Sequence, residues 1–138
     1  MVNTGGLVIS ELANIQGIQF TDDTATGKVS LVAKSPLTIN AAIDAKAGEV
    51  LLVASGSDLT DDVTINSNVV GASVDVYAGD SIAVTGDATI NSPSFELNVG
   101  TNYDIATAST STGSSSAGLS LSNTAGLQKI KILSLIHI

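Results

Sequence analysis

The sequence predicts an all-β fold, a parallel β-helix (β-solenoid) of about four coils of 24–26 residues. Three observations predict it: an internal repeat, an alternating strand within each repeat, and a composition rich in small and β-branched residues but poor in aromatic and charged ones.

The repeat is marked by Thr38-Ile39-Asn40, Thr64-Ile65-Asn66 and Thr89-Ile90-Asn91. Ile39 and Ile65 are 26 residues apart, Ile65 and Ile90 are 25 apart, and a degenerate copy, Asn14-Ile15-Gln16, places Ile15 a further 24 upstream. Between the marks lie Val29-Ser30-Leu31-Val32-Ala33, Val50-Leu51-Leu52-Val53-Ala54, Val74-Asp75-Val76-Tyr77-Ala78 and Phe95-Glu96-Leu97-Asn98-Val99. Each is apolar at its first, third and fifth positions, the period of a strand with one face inside and one in solvent. Leu37, Leu59, Ile82 and Ile105 follow as further inward anchors.

In such a coil each strand pairs with its equivalent one turn above and below, about 4.8 Å away. Ile15, Ile39, Ile65 and Ile90 are expected to stack as one aliphatic column, and Leu31, Leu52, Val76 and Leu97 as another. Gln16, Asn40, Asn66 and Asn91 fall at one equivalent position, suited either to an amide ladder or to turn conformations that Asn tolerates. The glycines at 27, 48, 56, 71, 79, 86 and 100 punctuate the strands. A 3.6-residue pattern and a leucine-rich frame are both missing, which excludes the common helical and leucine-rich arrays.

Residues 1–105 are therefore assigned to the coils. Residues 106–118, low in complexity and rich in Ser, Thr and Gly, are expected to form a protruding loop, because they bury too little apolar surface to order themselves. Residues 119–132 resume a strand-like pattern in Leu119-Ser120-Leu121 and Ile130-Lys131-Ile132, a partial further coil. The last six residues, Leu133-Ser134-Leu135-Ile136-His137-Ile138, resemble the translation of a transposon-end adapter used in sequencing libraries. That resemblance implies a reading frame that ran off its insert, so the lone histidine, His137, is given no role.

With 5 basic against 13 acidic residues and a net charge of −8, the chain repels phosphate backbones, which argues against nucleic acid as a partner. No run approaches the roughly 18 apolar residues of a membrane helix, so membrane insertion is not expected. Cysteine is absent. The start, Met1-Val2-Asn3-Thr4-Gly5-Gly6, has neither a basic nor an apolar signal region, so an exported protein is expected to begin upstream of it.

Segments such as Gly48-Glu49-Val50-Leu51-Leu52-Val53-Ala54-Ser55, Ala78-Gly79-Asp80-Ser81-Ile82-Ala83-Val84 and Ala88-Thr89-Ile90-Asn91-Ser92 resemble the repeats of filamentous-haemagglutinin-like adhesins. These are exoproteins of two-partner secretion systems and related autotransporter passengers. The resemblance, over residues 5–105, implies a right-handed parallel β-helix shaft, export across the outer membrane to the bacterial cell surface, and a part in adhesion, aggregation or biofilm formation. It implies no binding-site residue, because it lies in shaft repeats. Contact with a host surface, an abiotic surface or a glycan is then expected through other parts of the full protein. A shaft cut at both ends has open strand edges, which predicts end-to-end self-association of the fragment.

Chemistry in the chain itself has few carriers. Asp22-Asp23, Asp61-Asp62, Asp80 and Asp87 supply the oxygens that Ca²⁺ prefers, but the glycine-rich calcium repeat and the EF-hand loop are both missing. Solvated turn carboxylates are the expected state, with weak calcium binding as the alternative. A β-helix carbohydrate-active enzyme is the rival of another class. Against it, the lysines at 28, 34, 46, 129 and 131 are scattered, arginine is absent, and no Gly-x-Ser-x-Gly elbow or phosphate loop is present. Ice binding would need Thr-x-Thr ranks, and Thr24-Ala25-Thr26 and Thr110-Ser111-Thr112 do not recur at the coil period. The sequence therefore predicts no enzyme, no catalytic residue, no cofactor and no metal ligand.

Overall fold

The computed structural model describes residues 1–10 and 17–121. These form sixteen strands and no helix: β1 (Val2–Asn3), β2 (Leu7–Ile9), β3 (Ile18–Gln19), β4 (Lys28–Ala33), β5 (Leu37–Ile39), β6 (Ile43–Asp44), β7 (Glu49–Ala54), β8 (Val63–Ile65), β9 (Val69–Val70), β10 (Ser73–Ala78), β11 (Ile82–Val84), β12 (Ile90–Asn91), β13 (Phe95–Val99), β14 (Thr101–Asp104), β15 (Ser109–Thr112) and β16 (Leu119–Leu121).

Every third strand pairs in parallel, which makes a β-solenoid with three faces. The first sheet runs β1-β4-β7-β10-β13, the second β2-β5-β8-β11-β16 and the third β3-β6-β9-β12. Three turns, β4-β5-β6, β7-β8-β9 and β10-β11-β12, are described throughout. A fourth, β1-β2-β3, passes through residues 11–16, outside the described residues, and Ile15 and Gln16 lie there with it.

The in-register ladders turn the sequence alternation into columns of like residues. In the first sheet Val29, Val50, Val74 and Phe95 stack inward, as do Leu31, Leu52, Val76 and Leu97, all of them buried. The second sheet contributes Leu37, Val63 and Ile82, and beside them Ile39, Ile65 and Val84. Ile43, Val69 and Ile90 face these from the third. Each fully buried Leu or Ile contributes about 1.5–3 kcal/mol of transfer free energy, so stability grows turn by turn.

Five expectations change. Ile90 does not stack on Ile65: it lies on Val69 in the third sheet, and Val84 takes the place above Ile65. The three Thr-Ile-Asn marks therefore sit on two faces. Coil lengths are accordingly unequal: Val29, Val50, Val74 and Phe95 are separated by 21, 24 and 21 residues, and Leu37, Val63 and Ile82 by 26 and 19. Turns at solenoid corners absorb such differences because only the strands must keep register.

The amide ladder forms only in part, since Asn66 Nδ2 donates to Asn40 Oδ1 at 2.7 Å and the next contact is Thr85 Oγ1 to Asn66 Oδ1. Asn91 follows its strand to the third sheet. Leu59 and Ile105 are not inward anchors; at 65% and 40% exposure they lie on turns. Val63 fills the place between Leu37 and Ile82 instead, because the corner after β7 is longer than its sequence neighbours suggest.

Finally, residues 106–118 are not simply a loop. Ser109–Thr112 is a strand, paired antiparallel with Thr101–Asp104, so the coil path ends at Gly100 rather than at residue 105. Thr and Ser on their own bury little, but Thr is a good strand former and the partner strand supplies the backbone hydrogen bonds. Leu119–Leu121 then pairs in parallel with β11 in the second sheet. Ile130, Ile132 and the adapter-like tail lie outside the described residues.

Candidate functional site

The hairpin interrupts the solenoid at one corner, between the first and second sheets. Ile82 and Leu119 are register partners 37 residues apart, whereas Val63 and Ile82 are 19 apart, and the hairpin Thr101–Thr112 makes up most of the excess. The chain leaves the coil at Gly100, whose φ of 61° is in the left-handed region. It returns at Gly113, whose amide donates to Gly100 O at 2.8 Å, while the Ser114 amide donates to Gly79 O at 2.6 Å. At the hairpin tip, Ala106 N donates to Asp104 Oδ1 at 2.9 Å and Ala108 turns the chain with φ 50°.

Under the hairpin the first sheet breaks the expected polar exterior. Its outward column runs Val32, Val53, Tyr77 and Asn98, with Leu51 beside Val53. Val32, Leu51 and Val53 are buried in a second apolar cluster completed by Tyr77 and Tyr103. The two rings stack with centroids 4.5 Å apart and planes 30° from parallel. Asn102 Oδ1 accepts from the Gly56 amide at 2.9 Å, which ties β14 to the adjacent corner. Sequence reasoning missed this layer, although its signal was present: apolar residues at 32, 51 and 53 occupy positions that the alternation assigns to solvent.

Two clefts flank the tyrosine pair. One, of about 480 Å³, is lined by Tyr77, Asn98, Gly100, Thr101, Thr110, Ser111 and Thr112. The other, about 330 Å³, runs between Tyr103, Val32, Lys34, Ser55 and Asp104. Beside Tyr77, Asp75 and Glu96 are register partners on the same outward face. Burial pushes the Asp75 carboxyl above its usual range, Glu96 and Glu49 add to this, and Lys28 opposes it. The Tyr77 hydroxyl is likewise pushed up, by burial first and then by Asp75, Glu96 and Tyr103, so it stays protonated at neutral pH.

No protein-family model, curated protein or solved structure matches this chain.

Of the acidic residues singled out above, the fold brings three to the same corner and separates the others. Asp22 is exposed, and the amide and hydroxyl of Thr24 hold its carboxyl below the usual range. Asp23 pairs with Lys46 at 3.3 Å, and Lys46 also meets Asp44 at 2.9 Å. Partial burial pushes Asp44 up, but the hydrogen bonds and charge of Lys46 outweigh it and leave the carboxyl low. Asp87 lines a separate shallow cleft with Asn66 and Asn68.

Asp61, Asp62 and Asp80 converge. Asp61 and Asp80 are only 4% and 6% exposed, so they are not the solvated turn carboxylates expected of them. Asp61 Oδ2 accepts from the Asp58 amide at 2.8 Å, Asp62 Oδ1 from the Ser81 amide at 3.0 Å, and Asp80 Oδ2 from Ser81 Oγ at 3.0 Å. Asp80 Oδ1 is buried without a hydrogen-bond partner among the described residues. Burial pushes Asp62 up, the Ser81 amide opposes this, and the charges of Asp80 and Asp61 reinforce it. Among the described residues no group of three or more His, Cys, Asp or Glu side chains is placed to hold a metal ion.

The corner carries a pH prediction. Burial holds the Asp62 and Asp75 carboxyls above the ordinary carboxylate range, so the folded state binds their protons first. Stability from these groups is full below their unfolded values and is lost as pH rises through the raised folded values. Asp22 and Asp44, with lowered values, act in the opposite sense and at lower pH. Thermal midpoints should therefore rise on mild acidification and fall again in stronger acid. Asp62→Asn keeps an acceptor for the Ser81 amide and removes the charge that Asp80 and Asp61 repel. Its midpoint at neutral pH should exceed that of the unaltered protein and its acid gain should shrink; an unchanged acid gain in calorimetry would rule out Asp62 as a source.

Proposed function

We propose that this chain is a structural shaft segment of a large secreted bacterial surface adhesin, serving adhesion, aggregation or biofilm formation. The observation that carries this reading is the core: columns such as Leu31, Leu52, Val76 and Leu97 run through successive turns at one residue per turn. A fold held together by nearest-neighbour stacking lengthens by adding turns without changing its cross-section. Such a fold suits a rod that holds a binding element away from a cell. The resemblance of its repeats to filamentous-haemagglutinin-like shafts supports the same reading, and the acidic balance keeps it from adhering to anionic surfaces without a specific contact.

Antibodies raised against the segment should label intact bacteria that carry the parent gene, and deletion of that gene should lower attachment to surfaces or cell–cell aggregation. Labelling only after cell lysis, with attachment unchanged, would overturn the proposal.

A further inference from the structure

We infer that the larger cleft between β15 and the first sheet is a binding site for a neutral saccharide, with Tyr77 as its aromatic wall and the hydroxyls of Thr101, Thr110 and Thr112 as its polar contacts. This site lies within the chain itself, and its existence does not rest on the shaft reading.

The argument starts from strand alternation. In the antiparallel hairpin, Thr101 is opposite Thr112 and Tyr103 is opposite Thr110. Directly opposed residues project to the same side, and so do residues two apart. Thr101, Tyr103, Thr110 and Thr112 therefore share one face of the hairpin. Tyr103 stacks on Tyr77, which turns this shared face toward the solenoid at that end, while Thr110 and Thr112 stay exposed at the mouth of the cleft.

A hairpin that served only as a cover would place apolar side chains on that face, as Tyr103 does where it packs against Val32, Leu51 and Val53. Instead, past the tyrosine pair, the facing surfaces are threonine hydroxyls, the Asn98 amide and the glycine backbone, and they stand apart around about 480 Å³ of space. That volume is within the range of small-ligand sites. Asn98 is nearly fully buried and its amide already donates to Val76 O at 3.1 Å, so its orientation is set before any ligand arrives.

The lining selects the ligand class. Among the described residues no charged side chain lines this cleft. Anionic ligands are further disfavoured by Asp75 and Glu96 close to Tyr77. An apolar ligand would leave the hydroxyls without partners and strip their water. A neutral sugar matches both halves of the lining: its hydroxyls exchange hydrogen bonds with Thr and Asn, and its C–H face packs on an aromatic ring. An extended peptide is the other ligand that a two-stranded ribbon attracts. It would add to the edge of β15 that is unpaired among the described residues, and would use backbone rather than side-chain contacts.

Saturation-transfer NMR on the whole chain, with lactose, maltotriose and chitobiose as separate millimolar probes, tests the site. At least one sugar should receive saturation, and in the isotopically labelled protein the amides of Gly100 and residues 110–112 should shift with it. Thr110→Val with Thr112→Val keeps side-chain shape and strand propensity while removing the hydroxyls, and should weaken the sugar by about tenfold or more. Absence of transfer from all three sugars, shifts confined to other residues, or undiminished binding in the double variant would each overturn the proposal. So would a short extended peptide that shifts the β15 amides while the sugars do not. The wild-type shifts decide the matter even if the double variant fails to fold.

Discussion

Ile65→Asp is expected to unfold the described coils. Ile65 is fully buried between Ile39 and Val84 in the second sheet, and its side chain belongs to the core formed by all three faces. A carboxylate there has neither a partner nor water. The cost combines the lost burial of the Ile with the desolvation of a charge, and a neutralising proton recovers only part of it. Changes of this class exceed about 4 kcal/mol, a large share of the total stability of a small domain. Far-UV circular dichroism should lose its strand signal at neutral pH, and the chain should become sensitive to protease. Leu59→Asp, at an exposed turn position, should leave both unchanged. If the two variants behaved alike, the register of the second sheet would be wrong.

Gly79→Ala is the second large effect, and it reports on the corner rather than the core. Here the coils approach so closely that a Cβ on Gly79 would lie 2.3 Å from Gly56 O and 3.0 Å from Asp61 Cβ. Above it, Gly113 is in the same position, since its own Cβ would meet Gly79 O at 2.1 Å. The obstruction is backbone, so it is relieved only by moving a whole corner. That motion would strain the Ser114-to-Gly79 and Gly79-to-Ala54 hydrogen bonds together. A destabilisation of about 1–3 kcal/mol is expected from the overlap, and the hairpin should loosen with it. Gly86→Ala is the control: a Cβ there meets nothing within 4 Å, and only the left-handed φ of 60° opposes it. Its cost should be about 1–2 kcal/mol, with the Tyr77 and Tyr103 stacking intact. Chemical denaturation gives the two stabilities, and tyrosine near-UV dichroism gives the state of the hairpin. Equal loss of the tyrosine signal in both variants would remove the corner stack as the support of the hairpin.

These two positions divide what was legible in the sequence from what was not. Ile65 could be assigned to the core from the repeat and from its neighbours' alternation alone. Gly79 could be called a turn residue but not a contact point, because Gly56 and Gly113 are 23 and 34 residues from it and share no motif with it. The same limit explains the carboxylate corner. Asp61, Asp62 and Asp80 were each visible as acidic turn residues, yet their burial depends on which corners stack. Asp22, Asp23 and Asp87 look alike in the sequence and end up apart from them.

By itself the sequence determined the architecture: period-2 apolar alternation recurring about every 21–24 residues can bury its apolar face only by stacking strand on equivalent strand. It also determined the first-sheet columns, since Val29, Val50, Val74 and Phe95 begin strands of one pattern. The tertiary structure alone decided the register at the unequal corners, and so sent Ile90 and Asn91 to the third sheet. It alone decided that a Ser- and Thr-rich stretch would pair as a strand and lie over Val32, Leu51 and Val53. The physical reason is common to both. Alternation is a local property of the chain, whereas register and the covering of an outer face are set by which distant segment supplies the hydrogen bonds and removes the water.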